Sequence, residues 1–174
     1  MKILQISPSF YPAISIGGPI FSTLTFTEIL EKNHQVTTLT TQQGLDNEQL
    51  TSITYNSNIQ LSDKHTKIYK KYVGPANFTF SWSLLAWLIR YGKKYDLFVL
   101  QGIWNFPFLA AFFVARFYKI PYIVFTHGTF NPESFHGNST LFKRVLYFLY
   151  VKRMLIHAKH VFFTTNVEHR KLIE

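Results

Sequence analysis

The chain has 174 residues, 47% of them hydrophobic and 16% charged, which indicates a folded domain with a core rather than a disordered segment. It contains no cysteine, so disulfides, thiolate metal sites and cysteine nucleophiles are excluded. The net charge is +9, with −3 on residues 1–63 and +12 on residues 64–174, so the basic part either meets an anionic partner or is an ordinary lysine-rich surface.

The first forty residues predict a strand, a glycine-containing loop, a helix and a second strand. Residues 2–7 are an apolar run stopped by Pro8, and Pro19 suits the first turn of a helix over residues 19–32. Residues 35–41 are rich in β-branched side chains and predict the second strand. The order is that of a βαβ unit. The inward face of the helix is predicted to carry Leu24, Phe26, Ile29 and Leu30.

The middle of the chain gives weaker signals. Residues 42–66 are polar and predict a long segment without regular secondary structure. Residues 67–73 alternate between polar and apolar side chains and include lysines, which predicts an exposed edge strand. Residues 80–91 predict a helix, because its apolar residues recur at i, i+3, i+4 and i+7.

The second half alternates buried strands with helices. Strands are predicted at 96–100, 120–126 and 160–165, and helices at 105–118, at 141–157 and from 167 onward. This alternation predicts an α/β fold with a Rossmann-like, doubly wound and mostly parallel sheet. The charges of the 141–157 helix point in all directions, so that helix is interpreted as mostly buried rather than as a membrane-surface helix.

Ligands bind at the carboxyl ends of the strands in an open parallel sheet, which draws attention to two loops. Gly17 and Gly18 follow the first strand and precede a helix, where backbone N–H groups bind phosphate; a plain turn is the alternative. His127 follows a buried strand and precedes Gly128. It can bond a sugar hydroxyl or exchange a proton, or it can be a strand-end histidine bonded to backbone.

Trp104 and Asn105 follow the buried strand at 96–100. The indole of Trp104 either stacks on a sugar ring in the cleft or packs beneath the next helix. Asn105 is interpreted as a helix N-cap rather than as a ligand, although it lies next to the predicted cleft.

Several other functions find no support in the sequence. The spacing of His127, Glu133 and His136 matches no metal-ligand pattern, so no metal is expected. The basic charge comes without a helix-turn-helix or RNA-binding aromatic motif, so no nucleic acid is expected. The longest uncharged apolar run, residues 106–115, is half the length of a bilayer span.

Five segments match the motifs of one enzyme family in order and in spacing. They are MKILQISPSFYPAISIGGP, EILEKNHQVTTLTT, DLFVLQGIW, IPYIVFTHGTFNPESF and HVFFTTNVE. Together they resemble the N-terminal, acceptor-side domain of the family-4 glycosyltransferases of GT-B fold. Asn33 stands where that family usually has glycine, and Val99 and Gln101 stand where it has histidines.

The resemblance implies two Rossmann-like domains that face each other across a cleft. The first binds the acceptor, the second binds a nucleotide sugar, and transfer retains the anomeric configuration without a metal or other cofactor. Gly17 and Gly18 would lie near the donor phosphates, and His127 would act at the transferred sugar. We assign the acceptor contacts to Trp104, Asn105, Gly128 and Glu133.

The second domain of that family holds two glutamates eight positions apart, a spacing that no glutamate pair shows here. Residues 1–174 are therefore expected to be the acceptor domain without its donor domain, inactive alone. The chain is then a fragment, a truncated gene product, or one subunit of a split transferase that a partner chain completes. The expected acceptor is a cell-surface polysaccharide, a lipopolysaccharide or another lipid-linked glycan, met in the cytoplasm or at an anionic inner membrane face. The alternative is a non-catalytic Rossmann-like module that docks a partner chain or a membrane.

Overall fold

A computed structural model describes residues 1–129, 140–166, 168 and 170 of the chain. In chain order the elements are β1 (Lys2–Ile6), α1 (Gly18–Glu31), β2 (Gln35–Thr41), α2 (Asn47–Thr51), β3 (Ile59–Ser62), β4 (His65–Lys70), α3 (Trp82–Tyr91), β5 (Leu97–Leu100), α4 (Phe106–Tyr118), β6 (Tyr122–Phe125), α5 (Thr140–Leu146), α6 (Lys152–Ile156) and β7 (His160–Phe162). A π-helical segment, Tyr147–Val151, joins α5 to α6.

The strands form one seven-stranded sheet in the order β3-β4-β2-β1-β5-β6-β7. Every neighbouring pair is parallel except β3 and β4. The predicted α/β, Rossmann-like and mostly parallel sheet is confirmed, and β2, β1, β5 and β6 lie next to one another within it. After β1 the chain moves to β2 on one side and later returns to β5 on the other, which makes a topological switch point between β1 and β5.

The main core lies on the face of the sheet that carries α3, α4 and the π-helical segment. Phe98 and Leu100 of β5 point into it and meet Leu88 of α3, Phe108 of α4 and Val151. All five side chains are almost completely buried. A much smaller cluster on the α1 face contains Ile3, Val99 and Ile123. The domain therefore draws most of its apolar stabilisation from one side of the sheet.

Helix α1 turns a partly polar face to the sheet, so the predicted inward face is only partly correct. Phe26 and Leu30 pack against the small cluster as predicted. The buried residues of α1 are Ile20, Thr23 and Thr27, whereas Ile29 is 56% exposed. The sheet below α1 presents the buried Gln5, which needs hydrogen-bond partners that leucine side chains do not offer.

The predicted edge strand was wrong. β4 lies inside the sheet between β2 and β3, and β3 forms the edge. The lysines that suggested exposure are buried and satisfied: Lys67 Nζ donates to the carbonyl of Tyr11, and Lys70 Nζ donates to Asn56 Oδ1. The segment interpreted as irregular contains β3 and also α2, which begins with a capping box between Asp46 and Gln49.

The predicted helix over residues 141–157 exists as α5, the π-helical segment and α6, but it is only half-buried. Leu146, Tyr150, Val151, Met154 and Leu155 are buried. A stripe of its other side chains faces outward and includes large apolar residues, so the interpretation as mostly buried was wrong. No helix within the described ranges is long and apolar enough to cross a membrane.

Candidate functional site

A cleft of about 220 Å³ opens at the carboxyl ends of β1 and β5, at the switch point of the sheet. Ser7 and Ser9 line it after β1, and Gln101 and Trp104 line it after β5. His127, which follows β6, closes one side. This is the edge at which open parallel sheets bind their ligands.

The structure brings most of the residues predicted for the site together. His127, Trp104 and Asn105 line the cleft, and Gly17 and Gly18 sit at its rim between the lining residues Ile16 and Pro19. Gly128 follows His127 in the same turn. Glu133 lies outside the described residues, as does His136. The roles assigned to these residues remain predictions.

Side chains of β2 and β4 donate hydrogen bonds to the loop that carries the glycine pair. Lys67 Nζ and the Tyr69 hydroxyl both donate to the Tyr11 carbonyl, at 2.9 and 3.3 Å, and the Thr41 hydroxyl donates to the Pro8 carbonyl. Burial lowers the pKa of Lys67 to about 8. These contacts fix the path of the loop before it reaches the first turn of α1.

Gly17 and Gly18 expose bare backbone at the N-terminus of α1. Gly17 is the N-cap, with φ 85° and ψ −145°, and Gly18 is the first helical residue. A Cβ atom built on either glycine would meet nothing within 4 Å. The space over both residues is therefore open to a ligand, and the first turn of a helix favours an anion there.

The two glycines should respond differently to alanine. Gly17→Ala should lower the free energy of unfolding by about 1–3 kcal/mol, because its backbone conformation is one that only glycine adopts readily. Gly18→Ala is the matched control and should leave stability unchanged or raise it by up to about 1 kcal/mol. Chemical denaturation measures both. Equal losses at the two positions would show that Gly17 is not held by its backbone conformation.

His127 occupies a strained turn directly after β6. His127 has φ 50° and Gly128 has φ 76°, and the N–H of Thr129 donates to the carbonyl of Thr126 at 3.2 Å. Positive φ at both central residues is the pattern of a type I′ turn, which is uncommon for a histidine. The imidazole stacks on Phe125, with the ring centroids 6.1 Å apart. Backbone strain of this kind clusters at functional sites.

A chain of buried hydrogen bonds runs from His127 across the sheet. His127 Nε2 bonds Gln101 Oε1 at 2.8 Å, Gln101 Nε2 donates to Gln5 Oε1 at 3.3 Å, and Gln5 Nε2 donates to Thr27 Oγ1 at 2.7 Å. The hydroxyl of Thr27 donates to the Thr23 carbonyl. We call these residues the polar chain. Each group donates to the next one along the chain, so each bond polarises the next in the same direction.

The polar chain fixes the chemistry of the imidazole. Because Gln101 offers a carbonyl oxygen, Nε2 of His127 must carry the hydrogen, which leaves Nδ1 as an acceptor. Burial lowers the pKa of His127, against a smaller opposing effect of Glu168, and this favours the neutral form of the ring. A neutral imidazole with a free acceptor nitrogen can bind a hydroxyl group.

Trp104 and Asn105 contribute less to the cleft than their sequence position suggested. Trp104 is only 9% exposed and belongs to the main core, which favours the packing alternative over a stacking platform. Asn105 occupies the N-cap position of α4, but its side chain makes no capping bond and Nδ2 donates to the Asn77 carbonyl at 3.1 Å. Within the described residues, no group of three His, Asp or Glu side chains could hold a metal ion.

The residues that sequence reasoning missed are Gln5 and Gln101. Gln101 was noted only as a departure from a family pattern, and Gln5 only as part of an apolar strand. A signal existed in both cases, since a buried polar residue in or next to a central strand must find a partner. Which partner it finds depends on neighbouring strands, which the sequence does not display.

A comparison with protein families agrees with the sheet order, the cleft and the glycine-capped helix described above. The family model described as glycosyl transferase 4-like domain matches residues 17–174, from the glycine pair to the end of the chain. No curated protein matches the chain. The chain therefore belongs to the glycosyl transferase 4-like domain family.

Proposed function

We propose that the chain is the acceptor-binding half of a retaining glycosyltransferase, which moves a sugar from a nucleotide sugar to a lipid-linked or cell-surface polysaccharide acceptor. The observation that carries this proposal is the cleft at the β1–β5 switch point, with an open glycine pair on its rim and His127, bonded to Gln101, on its wall. Membership of the glycosyl transferase 4-like family supports the same chemistry.

The glycine pair would act on the donor. A diphosphate leaving group gains negative charge as the bond to the sugar breaks, and N–H groups at the start of α1 would stabilise that charge. Neither glycine has a side chain that would hold the phosphate away. No cofactor is needed for this step, and none is proposed.

His127 would act on the sugar. Its Nδ1 can accept a hydrogen bond from a hydroxyl, while Nε2 stays bonded to Gln101. The buried polar chain prevents the ring from rotating freely, so the acceptor nitrogen has a fixed direction. Gly128 and Glu133 would complete the acceptor contacts in this proposal, and most donor contacts would come from a second domain or a partner chain.

Binding measurements on the chain test whether it binds the acceptor while most donor contacts come from elsewhere. Calorimetric titration with a panel of nucleotide sugars should show dissociation constants of about 1 mM or weaker. Acceptor oligosaccharides should shift the NMR signals of Ser7, Gln101 and His127, and His127→Asn should weaken this binding. Asparagine tolerates the left-handed backbone of this position, which makes the substitution structurally mild. Micromolar binding of a nucleotide sugar by the chain would contradict the proposal.

The exposed side of α5 and α6 favours attachment to a membrane surface as a second property. Its large apolar side chains are 48–72% exposed, and basic residues flank them: Val145, Phe148, Leu149 and Ile156 with Arg144, Lys152 and Arg153. Apolar side chains flanked by basic ones suit the interface of an anionic bilayer. This would place the cleft at the cytoplasmic face of a membrane, near a lipid-linked acceptor.

Vesicle binding should depend on this surface and on salt. Removing two charges with Lys152→Gln and Arg153→Gln should weaken binding to anionic vesicles about 30-fold, at about 1 kcal/mol per charge. The matched control, Arg90→Gln with Lys93→Gln, removes the same charge elsewhere and should have a much smaller effect. Sedimentation of the protein with vesicles at low and high salt measures both pairs. Equal effects of the two pairs would argue against a defined membrane face.

A further inference from the structure

A second cavity, of about 610 Å³, lies away from the cleft and shares no lining residue with it. Its floor is formed by Thr37 of β2 with Thr66 and Ile68 of β4, and Ile68 also belongs to the main core. One wall is formed by α3 and the turn after it, and the opposite wall by the loop before β3. Nothing in the proposed sugar transfer uses this cavity.

Among the residues that the structure describes, two lysines and no carboxylate line this second cavity. Lys70 is only 3% exposed; its Nζ donates to Asn56 Oδ1 at 2.8 Å and lies 5.9 Å from the centre of the Trp87 ring. Lys94 is exposed at the rim, with Nζ 5.0 Å from the Tyr91 ring centre. Burial lowers the pKa of Lys70, so a bound anion would stabilise its charged form. The charge of the cavity is complementary to an anionic ligand.

The remaining lining is suited to a sugar ring. Trp87 lies beside both Tyr91 and Tyr95, with ring centroids 5.3 and 6.1 Å apart, so the three form a continuous aromatic wall. Asn56 and Asn58 are exposed on the opposite side. Aromatic rings pack against the C–H face of a pyranose, and amide groups bond its hydroxyls.

We propose that the second cavity binds an acidic glycan, a sugar bearing a carboxylate or a phosphate group. The anionic group meets Lys70 and Lys94, and the sugar ring lies against the wall formed by Trp87 and Tyr91. The inference does not rest on the proposed transfer reaction. It gives the domain a glycan contact separate from the cleft.

Titration with defined probes tests the proposal. Trigalacturonic acid carries carboxylates, glucose 6-phosphate carries a phosphate, maltotriose is neutral, and inorganic phosphate has no sugar ring. At least one acidic sugar should bind about tenfold more tightly than maltotriose and inorganic phosphate, and should shift the indole NMR signal of Trp87. The acidic sugar that binds more tightly identifies the anionic group. Equal binding of maltotriose or inorganic phosphate, or no binding of either acidic sugar, overturns the proposal.

Paired lysine variants locate the binding. Lys94→Gln should weaken binding of the acidic sugar about tenfold, whereas Lys93→Gln, in the same exposed turn but outside the cavity, should not change it. Equal weakening by both variants would show general charge attraction and overturn the proposal. His127→Asn changes the cleft and should leave binding of the acidic sugar unchanged, because the second cavity shares no lining residue with the cleft. Loss of acidic-sugar binding in that variant would place the ligand in the cleft instead.

Discussion

Phe108→Ala should lower the free energy of unfolding by about 3–5 kcal/mol. Phe108 is 1% exposed in the main core, and its ring lies 2.6 Å from the position that a Cβ on Gly102 would occupy. The ring therefore packs against bare backbone between β5 and α4, and alanine would leave a cavity that this backbone cannot fill. The loss is large compared with the total stability of a typical domain, about 5–15 kcal/mol.

Chemical denaturation of a matched pair tests this expectation. Phe117 lies on the same helix and is 79% exposed, so Phe117→Ala makes the same chemical change without a cavity. Its effect should stay within about 0.5 kcal/mol. A Phe108→Ala loss below about 1 kcal/mol would mean that the floor of the cleft relaxes into the space, and that the cleft is less rigid than its packing indicates.

Gln101→Leu should lower the free energy of unfolding by about 1–3 kcal/mol for each of the two polar groups that it leaves without a partner. These groups are His127 Nε2 and Gln5 Oε1, and Gln5 is completely buried. Leucine fills a similar volume, so the loss reports hydrogen bonding rather than packing. The substitution should also release the fixed tautomer of His127, which ¹⁵N NMR of the imidazole detects.

Gln43→Leu is the matched control for Gln101→Leu. Gln43 also lines the cleft, but its side chain bonds the Ala76 carbonyl in an exposed position. Water can replace this bond, so the effect should stay within about 0.5 kcal/mol. If the two variants lose the same stability, or if the His127 tautomer is unchanged in Gln101→Leu, the polar chain does not hold the imidazole.

The central sheet could be predicted because its strands carry their signal locally. β5 and β6 are short apolar runs that are buried on both faces, and Pro8 follows two residues after the end of β1. The position of β4 could not be predicted in this way. Lys67 and Lys70 resemble the charges of an exposed edge, and only the loops that fold over them provide their hydrogen-bond partners. Long-range contacts of this kind leave no local pattern.

The candidate site was predictable to the same extent. The positions of Gly17, Gly18 and His127 follow from the rule that strand ends meet at one edge of a parallel sheet. The polar chain depends instead on which side chains of β1, α1 and the segments after β5 and β6 meet, and therefore on the strand order. The inward face of α1 was predicted only in part for the same reason. Phe26 and Leu30 pack as expected, but the bond between Gln5 and Thr27 depends on contacts that the sequence does not display.

The polar layer beneath α1 also determines how firmly that helix is attached. α1 buries few large apolar side chains, whereas α4 is buried along most of its length. Local opening is easiest where apolar contacts are few, so the amide hydrogens of α1 should exchange with solvent well before those of α4. An anion bound at the glycine pair, as proposed above, would therefore contact the more weakly attached of these two helices.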